Sequence, residues 1–206
     1  MNPPVTHLLY LHGFRSSPAS FKAQMLAAQV QAWSAAGHAI AWACPQLPPS
    51  PALAWRDIQA LTTTWPAETM AVVGSSLGGF YATVLAQARG CRAALINPAV
   101  APARDLARYI GEQTSFHNPA DRFFFRPEFI GEFEAIAPYP ITRPERYWTL
   151  IAQGDEVLDW REMVAAYPSA NGLLLPGGDH AVSDFAQHLP ALCEALGLPA
   201  PDAHAG

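Results

Sequence analysis

Gly74-Ser75-Ser76-Leu77-Gly78 sets a serine between two glycines, each two residues away. This is the G-x-S-x-G spacing of a nucleophile elbow, where a strand turns sharply into a helix and lifts a serine hydroxyl above a sheet. Glycines at those two places leave room for the turn. Only Ser76 fits the frame, because Ser75 would need a glycine where Val73 stands; Ser75 reads as a hydrogen-bonding neighbour. A serine hydroxyl is a weak nucleophile at neutral pH and needs a base within reach. With an elbow of this kind the acid and then the histidine follow along the chain. Gly154-Asp155-Glu156-Val157 and Gly177-Gly178-Asp179-His180 supply them. His180 is expected to take the proton of Ser76 and return it to the leaving group. Asp155 is expected to hold the imidazole in the right tautomer and stabilise its cation. Glu156 and Asp159 stand nearby as alternative acids, and Asp179 reads as a loop-bracing or helix-capping carboxylate. Of the other histidines, His188 falls in a helix, His204 in the tail, and His7, His38 and His117 outside any matching context.

Acyl transfer builds negative charge on a carbonyl oxygen, and fixed backbone N–H donors stabilise it by about 3 kcal/mol each. The Leu77 N–H, at the start of a helix, is one candidate. The Phe14 N–H, in the His12-Gly13-Phe14 turn, is the other. His12 and the run Phe123, Phe124 and Phe125 are candidates for lining a substrate pocket, with ordinary core as the competing reading.

These residues need a scaffold that gathers strand ends. Apolar runs at Thr6 to Leu11, His38 to Cys44, Met70 to Gly74, Arg92 to Ile96, Tyr147 to Ala152 and Gly172 to Leu175 read as strands. Between them lie helical patterns from Phe21 to Trp33 and from Leu53 to Trp65, where Leu53, Ile58 and Leu61 share one side. Further helices are expected over Leu77 to Ala88, Asp159 to Ala166 and Ser183 to Leu196. Strands apolar on both faces, alternating with amphipathic helices, predict a mostly parallel, doubly wound α/β sheet of about six strands covered on both faces. With the elbow in place this is the α/β-hydrolase fold. Each chemical motif falls at the carboxyl end of a strand, where ligands collect in such sheets. The nearly fifty residues from Ala99 to Arg146 break the alternation and predict a helical cap inserted within a single domain spanning 1–206. Pro199 to Gly206 reads as a frayed tail.

Composition narrows the function. The 206 residues are 50% hydrophobic and 14% charged, with a formal net charge of −5. Twelve Lys and Arg form no cluster, which argues against nucleic acid as a partner. Cys44, Cys91 and Cys193 have no metal-type spacing and read as buried free thiols. No metal grouping, nucleotide loop or cofactor motif is visible, so no cofactor is expected. No run is long enough for a signal or a membrane span, which points to a cytoplasmic protein without stable membrane insertion. The expected partner is a small-molecule ester or thioester.

Several blocks resemble the YqiA-like bacterial esterases. They are Leu9-Tyr10-Leu11-His12-Gly13-Phe14 with Ser16-Ser17-Pro18, Pro45-Gln46-Leu47-Pro48-Pro49, Val73 to Thr83 around the elbow, and Asn97-Pro98-Ala99-Val100. Gly154 to Asp159 and Gly177-Gly178-Asp179-His180-Ala181 complete the set. The similarity runs from about residue 8 to residue 198 and departs from the family's pattern in the insertion. It implies a small cytoplasmic α/β hydrolase of carboxylic esters or thioesters, with Ser76, Asp155 and His180 at the catalytic positions. The competing expectations are a same-triad hydrolase of carbon–carbon or amide bonds, and a hydrolase-like scaffold that binds without turnover.

Overall fold

Six apolar runs form one sheet in the computed structural model, which describes residues 3–118 and 120–201. His204 and the end of the tail lie outside the described residues. The chain begins with β1 (His7–Leu11), α1 (Phe21–Ala35), β2 (Ala41–Ala43) and α2 (Pro51–Thr62). Next come β3 (Met70–Ser75), α3 (Leu77–Arg89) and β4 (Arg92–Ile96). An insertion carries α4 (Pro102–Leu106), β5 (Gly111–Thr114), β6 (Arg122–Phe125) and α5 (Glu128–Ala135). The chain then returns through β7 (Tyr147–Ala152), α6 (Trp160–Ala166), β8 (Asn171–Leu175) and α7 (Phe185–Leu196).

The sheet order is β2-β1-β3-β4-β7-β8, and every neighbouring pair is parallel. Parallel pairing requires crossovers, and these put helices on both faces. Strand alternation divides the core accordingly. Leu8 and Tyr10 face α1 and α7, packing with Leu26, Trp33, Phe185 and Leu192. Leu9 and Leu11 face the other layer, with Ile58 of α2, Phe80 of α3 and Phe133 of α5.

Three details differ from the sequence expectation. In α2 the buried face is Pro51, Ala54, Ile58 and Thr62, while Leu53 and Leu61 face solvent. Only Ile58 of the expected stripe is core, and the small residues Ala54 and Thr62 are buried beside it. β8 is an edge strand, so Leu173 and Leu174 are exposed rather than buried on both sides. The insertion is helical at α4 and α5, but it also holds a two-stranded antiparallel ribbon, β5–β6, and Phe123 to Phe125 lie on it.

The insertion is tied down at several points. Glu132 of α5 accepts hydrogen bonds from the Ser50 hydroxyl (2.6 Å) and the Ala52 N–H (2.9 Å), at the start of α2. A carboxylate there satisfies helix N–H groups that have no partner within the helix. Arg104 of α4 makes a two-pronged pair with Glu162 of α6, at 2.8 and 2.6 Å. No helix among the described residues is long and apolar enough to cross a membrane.

Candidate active site

Ser76 stands between β3 and α3 with φ 55° and ψ −120°, a conformation that L-residues rarely adopt. Close packing explains the glycine after it. A Cβ on Gly78 would collide with the Leu11 carbonyl at the end of β1, so a side chain there would push α3 off the sheet.

Two later loops bring Asp155 and His180 to this serine. Asp155 follows β7 and His180 follows β8, and the strands lie side by side. Their loops nearly touch at Gly154, where any Cβ would run into the Gly178 carbonyl. The Gly154 N–H donates to the Gly177 carbonyl at 3.2 Å. The result is a continuous chain of hydrogen bonds. The Ser76 Oγ lies 3.0 Å from His180 Nε2, and His180 Nδ1 lies 2.7 Å from Asp155 Oδ2. The other oxygen of Asp155 accepts from the N–H groups of Val157 and Leu158, both at 2.8 Å. With both oxygens accepting, the carboxylate leaves the proton on Nδ1 and turns the Nε2 lone pair towards the serine. The Asp155 side chain is fully buried.

The neighbouring carboxylates go elsewhere. Glu156 accepts the backbone N–H of His180 at 3.0 Å, bracing the histidine without touching its ring. Asp159 caps α6 by accepting the Arg161 N–H at 2.9 Å. Asp179 accepts from the N–H (2.9 Å) and hydroxyl (2.5 Å) of Ser183, and these bonds hold its pKa below the usual carboxylate value. Ser75 is buried at the end of β3. Lys22 of α1 donates to the Ala181 carbonyl, beside the histidine, and burial lowers its pKa to about 8.

The loop after β1 lies against Ser76: a Cβ on Gly13 would sit 3.3 Å from that of the serine. His12 braces this loop. Its Nε2 accepts the Leu47 N–H at 3.0 Å, so Nδ1 bears the proton and donates to the Gly13 carbonyl at 2.9 Å. Burial holds the His12 pKa below its ordinary value, in keeping with a neutral ring. Phe14 packs against Tyr109, Phe123 and Phe125, with ring centroids 5.5, 5.9 and 5.3 Å away.

Two cavities meet at Phe14 and Leu77. The smaller, about 160 Å³, holds Ser76 and His180 and is walled by Ala99, Leu106, Val157 and Leu158. The larger, about 610 Å³, is lined by His12, Gln46, Tyr81, His117, Arg122 and Phe123, among others. The β-ribbon therefore separates the three expected pocket phenylalanines. Phe123 lines the larger cavity, Phe124 is 57% exposed on the outer face, and Phe125 is core. Alternation along the strand turns Phe124 away from Phe123 and Phe125, which both pack against Phe14. No group of three or more metal-ligating side chains gathers among the described residues.

A protein-family model described as "Uncharacterised protein family (UPF0227)" matches residues 7–196. Several solved structures are similar in shape. A putative hydrolase from Agrobacterium vitis S4 aligns with a TM-score of 0.70 at 16% identity, over 94% of this chain and 91% of that one. The alpha/beta hydrolase domain-containing protein 10 from mouse gives 0.63 at 20% identity, over 92% and 90%. Est1E from Butyrivibrio proteoclasticus, with ferulic acid bound, gives 0.62 at 16% identity, over 95% and 88%. At such identities the likeness speaks for the fold, which is that of the α/β hydrolases.

Proposed function

The chain belongs to the uncharacterised protein family UPF0227, and from that premise we propose that it is a serine hydrolase of carboxylic esters or thioesters, working through an acyl-enzyme on Ser76. The observation that carries this reading is the unbroken Ser76–His180–Asp155 chain of hydrogen bonds, opening into a cavity beside the nucleophile. A scaffold that only binds has no need of a strained serine, a base and a buried acid in mutual contact.

In the proposed reaction the Ser76 oxygen attacks the substrate carbonyl as its proton passes to His180 Nε2. The tetrahedral oxyanion forms where the Phe14 and Leu77 N–H groups can donate to it. The Leu77 N–H is in the first turn of α3, where helix N–H groups lack intrahelical partners. Each donor is worth about 3 kcal/mol of transition-state stabilisation. As the intermediate collapses, the bond from carbon to the alcohol oxygen or thiol sulfur breaks, and His180 passes its proton to that leaving group. Water then attacks the acyl-enzyme, giving one proton to His180. Release of the acid returns that proton to Ser76 Oγ. Asp155 stays ionised throughout and balances the imidazolium.

The cavity at Ser76 is small and lined mainly by apolar residues, with Arg15, Asp105 and Arg108 also on its wall, and it suits a compact acyl group such as butyryl. Pre-steady-state hydrolysis of p-nitrophenyl butyrate tests the proposal. A burst of about one nitrophenolate per chain is expected, followed by slower turnover. Ser76→Ala should abolish the burst and lower kcat by on the order of 10⁶-fold. Near-normal turnover by that variant would overturn the reading.

A further inference from the structure

Asn97 opens the Asn97-Pro98-Ala99-Val100 block just after β4, and in the structure it is fully buried with φ +39°. Its side-chain oxygen accepts the Ala152 N–H at 2.8 Å, at the end of β7, three residues before Asp155. Its side-chain nitrogen donates to the carbonyls of Asp179 (3.0 Å) and His180 (3.1 Å). One amide therefore spans the strand end that leads to the acid and the loop that carries the base. An amide is the group that can do both, because it has an acceptor and two donors on one short planar unit.

The main chain around Asn97 grips the serine. The Ser76 N–H donates to the Ile96 carbonyl at 2.9 Å, and the Ser76 carbonyl accepts the Ala99 N–H at 3.0 Å. Asn97 is itself fixed by its own N–H, which donates to Leu150 at 2.9 Å. Residues 96–99 thus contact the backbone of the nucleophile on both sides, and their central side chain reaches the other two loops.

We propose that Asn97 is a positioning residue for the reaction assigned to Ser76, holding His180 in register with both the serine and the acid. The inference rests on that proposed function. The histidine is held from two sides. Asn97 takes its carbonyl, and Glu156 takes its N–H at 3.0 Å. Losing the Asn97 side frees the loop to pivot on the Glu156 contact. Displacements of about 1 Å at a reacting group cost on the order of 100-fold in rate.

Two variants test this. Asn97→Gly accepts the positive φ and keeps the main-chain bonds while losing all three side-chain bonds. Asn97→Asp keeps the shape but sets an oxygen against two carbonyl oxygens. Each is compared with the unaltered protein for thermal midpoint, for kcat and KM on p-nitrophenyl butyrate, and for the rate at which a fluorophosphonate labels Ser76. The expected result is folded protein in which kcat and labelling rate fall together by about 10- to 100-fold, with KM within about threefold. A role confined to stability would lower the thermal midpoint and leave kcat and labelling rate intact, which would overturn the proposal. Failure of both variants to fold would also overturn it, assigning Asn97 to the framework. If the unaltered protein neither labels nor turns over, the parent assignment of Ser76 fails instead, and the two failures are distinct.

Discussion

A carboxylate behind a catalytic imidazole fixes which ring nitrogen bears the proton and stabilises the cation that forms. Asp155 has the geometry for both duties, whereas Glu156 meets only the backbone of His180 and Asp159 only the start of α6. The three carboxylates within five residues therefore make separable predictions. Asp155→Asn should lower kcat about 10⁴-fold with little change in KM, because an amide donating to Nδ1 moves the ring proton to the nitrogen that faces Ser76. Asp159→Ala should cost about 1 kcal/mol of stability, the usual worth of a helix cap, and leave kcat unchanged. Steady-state kinetics beside thermal melts separate the two. A larger kinetic loss at Glu156 or Asp159 than at Asp155 would reassign the acid. The sequence favours Asp155 as the first carboxylate after the strand, but spacing alone cannot tell which of three neighbouring carboxylates turns inwards.

The elbow was legible in the sequence because its requirements are local: apolar strand, glycine, serine, glycine, helix. Gly78 shows how strict they are. A Cβ there would meet the Leu11 carbonyl, so Gly78→Ala should force α3 away from β1, destabilise the fold by about 1–3 kcal/mol and separate the Leu77 N–H from the Phe14 loop. A melt with an esterase assay should show both losses; an unperturbed variant would contradict this account of the elbow. Other elements were less legible. Phe123 to Phe125 become a strand only by pairing with Gly111 to Gln113, and an unremarkable Gly-Glu-Gln segment gives little sign of that pairing. The buried face of α2 was missed because Leu53 and Leu61 outweigh Ala54 and Thr62 in any hydrophobic count, although Ala54 and Thr62 are the buried pair. The role of Asn97 joins residues about 55 and 83 positions apart, a relation that appears only when β4, β7 and the last loop are placed together.

The parallel six-stranded sheet and its two-sided core follow from the alternation of apolar strands and amphipathic helices, whereas the strand order is seen only in the structure. The same burial makes stability depend on alkaline pH. It raises the thiols of Cys44 to about 11 and of Cys91 and Cys193 to about 12, from an ordinary value near 9. It raises Tyr139 to about 12, and Tyr10, Tyr81, Tyr147 and Tyr167 higher still. Each such group holds its proton in the folded state after the unfolded chain has lost it. Its contribution is therefore complete below the unfolded pKa and disappears as pH rises through the folded one. Lys22 has the opposite sign, adding stability between about 8 and its ordinary 10.5, but it is one amine against many thiols and phenols. The thermal midpoint should consequently fall above about pH 9. A midpoint that held steady or rose to pH 11 would contradict this accounting of the core. The decisive test of the account returns to one hydroxyl. Fluorophosphonate labelling followed by peptide mass spectrometry should place a single adduct on Ser76, with none on Ser76→Ala and much slower labelling on Asp155→Asn. An adduct on another residue, or an unlabelled native protein, would contradict it.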